Sequence, residues 1–241
     1  MAATAGIDMA IRPIFMPSLS GPLLVSTELI EFHWFPGMAK SQSQKSIDSL
    51  HQTATERLHV DSVLEISSKS KDEHGVKLSA FNLMIKTPRR EYSLECAYQA
   101  SKVFERGGPF KDLLDVKSID AKRDPRLAQF GRLVKFQWYG KDWPLQPRTA
   151  FYDWLYINAL HRQQELAQIV LTYRAFSDIA FNPERSINCQ AYAAALYVSL
   201  YERGLLTDHV LKDQDEYLRV IDTGAVSNAH ENTLRNRSLL D

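Results

Sequence analysis

Tyr92-Ser93-Leu94-Glu95-Cys96-Ala97-Tyr98-Gln99-Ala100-Ser101-Lys102-Val103-Phe104 is the stretch on which the reading of this chain turns. Laid on a helix, it separates into two faces. Leu94, Ala97, Tyr98 and Ser101 share one side, while Glu95, Gln99, Lys102 and the following Arg106 share another. The pattern predicts a helix from Tyr92 to Glu105, stopped by Gly107-Gly108-Pro109. A Glu–Gln–Lys–Arg stripe is most often a solvated helix face, so spacing alone assigns it no chemistry.

Outward from this segment the chain divides. Upstream, Arg12–Pro17 and Leu23–Trp34 read as strands with turn chemistry at Ser18–Pro22 between them. Ser41 to Leu58 carries Ile47, Leu50, Ala54 and Leu58 at helical spacing. Val63–Ile66 is a short strand candidate, Ser67 to Gly75 a polar loop, and Leu78–Ile85 an apolar, strand-like run. Downstream, Ser118 to Phe130 holds a short helix interrupted at Pro125. Thr149 to Arg174 and Asn188 to Arg203 read as helices, the second closed by Gly204, and Val210 to Ile221 as one more. In Thr149–Arg174, Asp153 reads as a helix-surface acid. Strands early and helices late give an α+β class, mostly helical with a small N-terminal β portion. The expected organisation is an N-terminal β extension over 1–38, a main domain over 39–225 and a tail over 226–241, unless all form one compact domain.

Composition excludes several classes. The chain has 241 residues, is 44% hydrophobic and 24% charged, and balances 29 Lys+Arg against 29 Asp+Glu. That much apolar surface argues against disorder throughout, and zero net charge argues against a protein that coats nucleic acid or a membrane by bulk electrostatics. The two cysteines, Cys96 and Cys189, do not form a C-x-x-C pair, so neither a disulfide scaffold nor a cysteine zinc site organises the fold. The seven histidines show no H-x-x-x-H or H-E-x-x-H pairing, and no metal or cofactor is expected. With no signal-like start and no apolar run long enough to span a bilayer, a cytoplasmic protein without a membrane partner is expected.

The quoted stretch resembles the signature of the NADAR (YbiA-like) family. Ser93, Glu95, Gln99, Ala100 and Lys102 fall into register with it; Cys96 stands where the family has His, and Phe104 comes one place after its Phe. Ser79-Ala80-Phe81-Asn82 resembles the family's S-N-F block, Phe130-Gly131-Arg132 its G-R element, and Asn188 its late Asn, without the Gly that follows there. Longer strings are similar to the NADAR antitoxins paired with DarT-type toxins. They include Phe32-x-Trp34-Phe35-Pro36-Gly37, Leu64-Glu65-Ile66-Ser67-Ser68-Lys69-Ser70, Thr149-Ala150-Phe151-Tyr152-Asp153-Trp154 and Phe181-Asn182-Pro183. The resemblance implies a YbiA/NADAR-like fold and a glycohydrolase that removes ADP-ribose from ADP-ribosylated guanine in DNA. It also implies ADP-ribose as product and a cognate DarT-type toxin as partner.

Cleavage at the ribose C1″ passes through an oxocarbenium-like centre, which a nearby carboxylate stabilises or supplies with water. The motif carboxylate Glu95 is the expected candidate. Lys102, matched to the family, and Lys69, matched to the antitoxin branch, are the candidate lysines. Either binds the diphosphate as an ammonium or attacks an opened ribose as a neutral amine. Asp178 is a candidate second carboxylate, although a turn aspartate is the simpler reading. Phe81, Tyr98 and Trp138 offer flat faces for a base. Ser67, Ser68 and Ser79 offer hydroxyls, and Asn82, Gln99, Asn182 and Asn188 offer amides. Lys86, Arg89 and Arg90 form one basic neighbourhood, and Lys122, Arg123, Arg126, Arg132 and Lys135 another. Two rivals stand beside the enzyme: a non-catalytic ADP-ribose-binding module, and an antitoxin that acts by direct toxin binding.

Overall fold

The structure, a computed structural model, describes residues 8–182 and 186–222; the expected tail over 226–241 lies outside these residues. Two nine-residue strands open the chain. β1 (Met9–Pro17) and β2 (Val25–His33) pair antiparallel along their whole length, from Met9 opposite His33 to Pro17 opposite Val25. Strand alternation then splits neighbours between two layers. Ile14 joins Ile30 and Phe32 on the face covered by α1 (Lys40–Leu58), whose Ile47, Leu50 and Ala54 complete a small core. Phe15 turns to the opposite face and enters the main core.

β3 (Leu64–Glu65) follows, then α2 (Glu73–Lys77), capped by the Asp72 side chain accepting from the His74 amide. β4 (Met84–Lys86) and β5 (Glu91–Ser93) form a two-stranded ribbon leading into α3 (Leu94–Ala100). β6 (Lys102–Phe104) is separated by the short helices α4 (Ser118–Lys122) and α5 (Arg126–Gln129) from its partner β7 (Leu133–Trp138), which pairs on its other edge with β8 (Lys141–Trp143). After α6 (Ala150–His161) and α7 (Gln164–Leu171) comes the short β9 (Phe176–Ser177). It pairs antiparallel with β1 at Phe15–Phe176 and parallel with β3, giving a four-stranded sheet in the order β2-β1-β9-β3. α8 (Gln190–Glu202) lies under that sheet and against α6; every residue from Ala191 to Leu200 is buried, as expected of a helix apolar all round. α9 (Asp208–Lys212) and α10 (Gln214–Ile221) close the described chain.

The α+β class holds, but several expectations change, and the helix expected over Thr149–Arg174 is two, α6 and α7. The helix over 92–105 is only the seven-residue α3. Its N-cap is Ser93, whose hydroxyl accepts from the Cys96 amide, and it ends where Ser101 Oγ turns back to the Tyr98 carbonyl at 2.8 Å. Lys102 to Phe104 then leave as a strand, because pairing with β7 outweighs helical periodicity. Gly107 and Gly108 do not stop a helix. They turn the chain beyond β6 so closely that a Cβ on Gly108, at φ +100°, would sit 2.4 Å from the Lys102 carbonyl oxygen. The apolar run Leu78–Ile85 is mostly a turn, since the Asn82 amide bonds back to the Val76 carbonyl and Ser79 Oγ and only Met84–Lys86 extends. Strands are not confined to the start, because β7, β8 and β9 lie in the second half. The segment 210–221 is two helices, broken at Asp213, whose side chain caps the second.

Candidate active site

α3 presents its N-terminal turn to a cavity of about 680 Å³, walled by segments from across the chain. They are the loop after β3 (Ser67, Ser68), the turn Ser79–Phe81, α3, Lys102 of β6, Lys122 of α4, β7, the 144–149 loop, the start of α6, and the residues flanking α8. The turn is fastened to α3 by backbone, since the Glu95 amide donates to the Ala80 carbonyl at 2.9 Å. Gln190, the first residue of α8, clamps both loops. Its Oε1 accepts from the Ala80 amide at 2.7 Å and its Nε2 donates to the Ile66 carbonyl at 2.6 Å.

Glu95 is 6% exposed and lines the cavity. Gln99, one helical turn on, donates from Nε2 to Glu95 Oε1 at 2.8 Å, so the helix itself orients the carboxylate. Oε2 has no hydrogen-bond partner among the described residues, and Gln99 Oε1 is buried without one. The expected solvated stripe is thus a buried acid–amide pair. Lys102 reaches the same wall from β6 with its Nζ 4.8 Å from the Tyr98 ring centre. Burial pushes its pKa down to about 8; the Glu95 charge opposes that shift and Lys122 adds to it. At neutral pH Lys102 is mostly an ammonium with an accessible neutral fraction. Tyr98 in turn accepts a 2.6 Å hydrogen bond from Asn188 Nδ2.

Asp178 follows β9 and also lines the cavity, 8% exposed. Its Oδ1 accepts from the Ala180 amide at 3.0 Å, the geometry of an ordinary turn aspartate, yet it faces the cavity. Burial, reinforced by the charge of Glu65, raises its pKa well above the usual carboxylate range. Glu65 is buried beneath the cavity. Its Oε2 accepts from Ser177 Oγ at 2.5 Å and its Oε1 from the Ile179 amide at 3.0 Å, while Ser67 adds a third donor. Ser177 also lies 2.8 Å from His51 Nε2, so this network ties α1, β3 and β9 to the cavity floor.

The structure thus brings Glu95, Lys102, Asp178, Ser67, Ser68, Ser79, Phe81, Tyr98, Gln99 and Asn188 to one wall or another of the same cavity. Lys69, Asn82, Trp138 and Asn182 are not among its lining residues. Lys69 lies one residue beyond the Ser67–Ser68 wall, its amide bonded to Ser67 Oγ. Asn82 is exposed and supports its own turn, and Asn182 is half-buried with contacts of its own. Trp138 packs edge-on against Tyr92 beside a separate small depression. Cys96, which replaces the family's His, is buried off the cavity with Sγ 3.3 Å from the Val116 carbonyl.

Sequence reasoning did not place Lys122, Gln190, Glu65 or Asp153 at or beside the cavity. Asp153 is not a surface acid. It is 2% exposed in the first turn of α6, and its Oδ2 accepts from Thr149 Oγ1 at 2.6 Å. Burial raises its pKa to about 8, so it holds a proton at neutral pH. That bond secures Thr149, a β-branched residue at φ +67°, at the end of the cavity-lining 144–149 loop. Among the described residues no group of three or more His, Cys, Asp or Glu could hold a metal ion, and no helix is long and apolar enough to cross a membrane.

Among curated proteins, none matches the chain. A family profile does: the one described as DarT1-associated NADAR antitoxin matches residues 10–231, which includes the β1–β2 hairpin as well as every wall of the cavity. The chain belongs to the family of DarT1-associated NADAR antitoxins.

Proposed function

We propose that this protein is a glycohydrolase that removes ADP-ribose from ADP-ribosylated guanine in DNA, and so acts as the antitoxin of a DarT-type DNA-modifying toxin. Membership of the antitoxin family supports the toxin partnership. The observation that carries the enzymatic reading is the oriented carboxylate of Glu95, held in the cavity by Gln99 beside the Lys102 ammonium, with one oxygen left for a ligand.

The bond broken joins ribose C1″ to the guanine amino nitrogen. As it lengthens, positive charge grows on the ribose, and Glu95 stabilises that charge or orients the water whose oxygen takes the vacated bond. Asp178 holds a proton more readily than an exposed carboxyl and donates it to the departing nitrogen. Lys102 serves close to the sugar. Its low pKa permits either an ammonium that holds ligand oxygens or a neutral amine that attacks an opened ribose.

The test is to incubate the protein with DNA carrying the guanine adduct and follow free ADP-ribose. Wild type should release it, and Glu95→Gln should release it about 100-fold or more slowly while still binding ADP-ribose. Tight ADP-ribose binding with no release would indicate a binding module. A stable toxin complex that neutralises the toxin without any release would indicate occlusion.

A further inference from the structure

Lys122 stands apart from the other surface lysines. It lies in the last turn of α4, lines the cavity, and holds its Nζ 5.3 Å from the centre of the Phe81 ring. The helix that carries it is tied to the site. Ser118 Oγ donates to the Phe81 carbonyl at 2.9 Å and lies 2.8 Å from the Oγ of Ser93, the N-cap of α3. One hydroxyl therefore sets α4, the Phe81 turn and the start of α3 relative to one another.

The charges in the cavity are unevenly matched. Lys102 has Glu95 beside it. No ion pair among the described residues involves Lys122; of its acidic neighbours in sequence, Asp124 is held by Arg126 at 2.8 Å. Asp178 accepts from the Ala180 amide, and Arg148 on the 144–149 loop already has contacts of its own. An ammonium over an aromatic face, lining the cavity and without an ion-pair partner among the described residues, is a seat for an anion.

We propose that Lys122, seated on Phe81, is the residue that binds the diphosphate of the ligand and so selects ADP-ribosyl groups over uncharged ribosides, leaving Lys102 to the sugar. This deepens the glycohydrolase reading and rests on it for the identity of the ligand. It also changes the part given to Phe81, whose ring face carries the ammonium rather than a stacked base.

The experiment is calorimetric titration of the full-length wild type, Lys122→Ala and Lys122→Arg with ADP-ribose, inorganic pyrophosphate and adenosine, paired with steady-state release from adducted DNA. Lys122→Ala should weaken ADP-ribose and pyrophosphate binding about 10- to 100-fold, the range of a charge-assisted hydrogen bond. Adenosine binding and kcat should stay within about twofold, and KM should rise. Lys122→Arg should restore most of the affinity. Equal ADP-ribose affinity in wild type and Lys122→Ala would overturn the proposal, as would a loss confined to kcat. If wild type binds pyrophosphate through Lys122 but not ADP-ribose, the anion seat stands and the glycohydrolase reading falls.

Discussion

At the residue scale, the site is a set of ionisable groups whose burial sets their charge. Asp153 shows this most cleanly, because its role is in the wall and not in the chemistry. Its folded-state pKa of about 8 lies above its ordinary value near 4, so the folded protein binds a proton that the unfolded chain releases. The stability contributed by that proton is complete below pH 4 and is lost as pH rises through about 8. Asp153→Asn should therefore flatten the fall in stability between pH 4 and pH 8. At pH 8 the variant should be more stable than wild type by several kcal/mol, read from denaturant melts across the range. A variant with an unchanged pH profile would show that Asp153 is ionised in the folded state. Asp153 was not legible as a buried group, because a helix packed on all sides leaves no polar stripe by which to place it. Glu95 and Gln99 were legible as a pair, since a spacing of four on any helix sets them side by side. Their burial was not, because that depends on the 3-10 turn Lys111–Asp115, α4 and α6 packing against α3.

At the element scale, short segments are held by close backbone approach rather than by propensity. Gly75 in α2 packs on the strand that carries Glu65, and an added Cβ would sit 2.0 Å from the Glu65 carbonyl oxygen and 2.6 Å from Ser70 Oγ. Backbone cannot yield as a side chain can, so Gly75→Ala should cost about 1–3 kcal/mol and loosen the Ser67–Ser70 loop. Thermal melts and protease sensitivity at that loop would register it, and an unchanged melting temperature would contradict the packing described. The same scale explains which elements the sequence concealed. The β7–β8 hairpin turns on Tyr139 and Gly140, both at positive φ, without the Asn-Gly or Asp-Gly pair that marks such turns. β9 has two residues and exists only through β1 and β3 on either side of it. The long α1 and α8 were legible because each carries a complete apolar pattern of its own, inward-facing in α1 and all-round in α8.

At the scale of the whole molecule, the cavity draws its walls from the loop after β3 through to α8, and the sheet that supports its floor uses β1 at one end of the chain and β9 near the other. Lys122 could be placed in a basic neighbourhood from sequence, but its arrival beside Phe81 is a property of the folded chain alone. Zero net charge acquires a specific meaning here. An enzyme that recognises one modified base in a pocket gains nothing from strong attraction to the surrounding strand, which would slow its release. Binding to unmodified duplex should be weak, with a log-affinity against log-salt slope shallower than about −3, whereas a protein neutralising six to ten phosphates would give a slope of about −5 to −9. Fluorescence anisotropy at several salt concentrations measures it, and a steep slope on plain duplex would contradict this expectation.

The central claim concerns one bond, between ribose C1″ and the guanine amino nitrogen. It is tested most directly by mass spectrometry of an oligonucleotide bearing a single ADP-ribosylguanine, after incubation with wild type or Glu95→Gln. The expected result with wild type is free ADP-ribose together with DNA of the unmodified mass, guanine intact, and with Glu95→Gln at least about 100-fold slower conversion. DNA left at the adduct mass by wild type, or DNA that loses the modified base and becomes abasic, would contradict it.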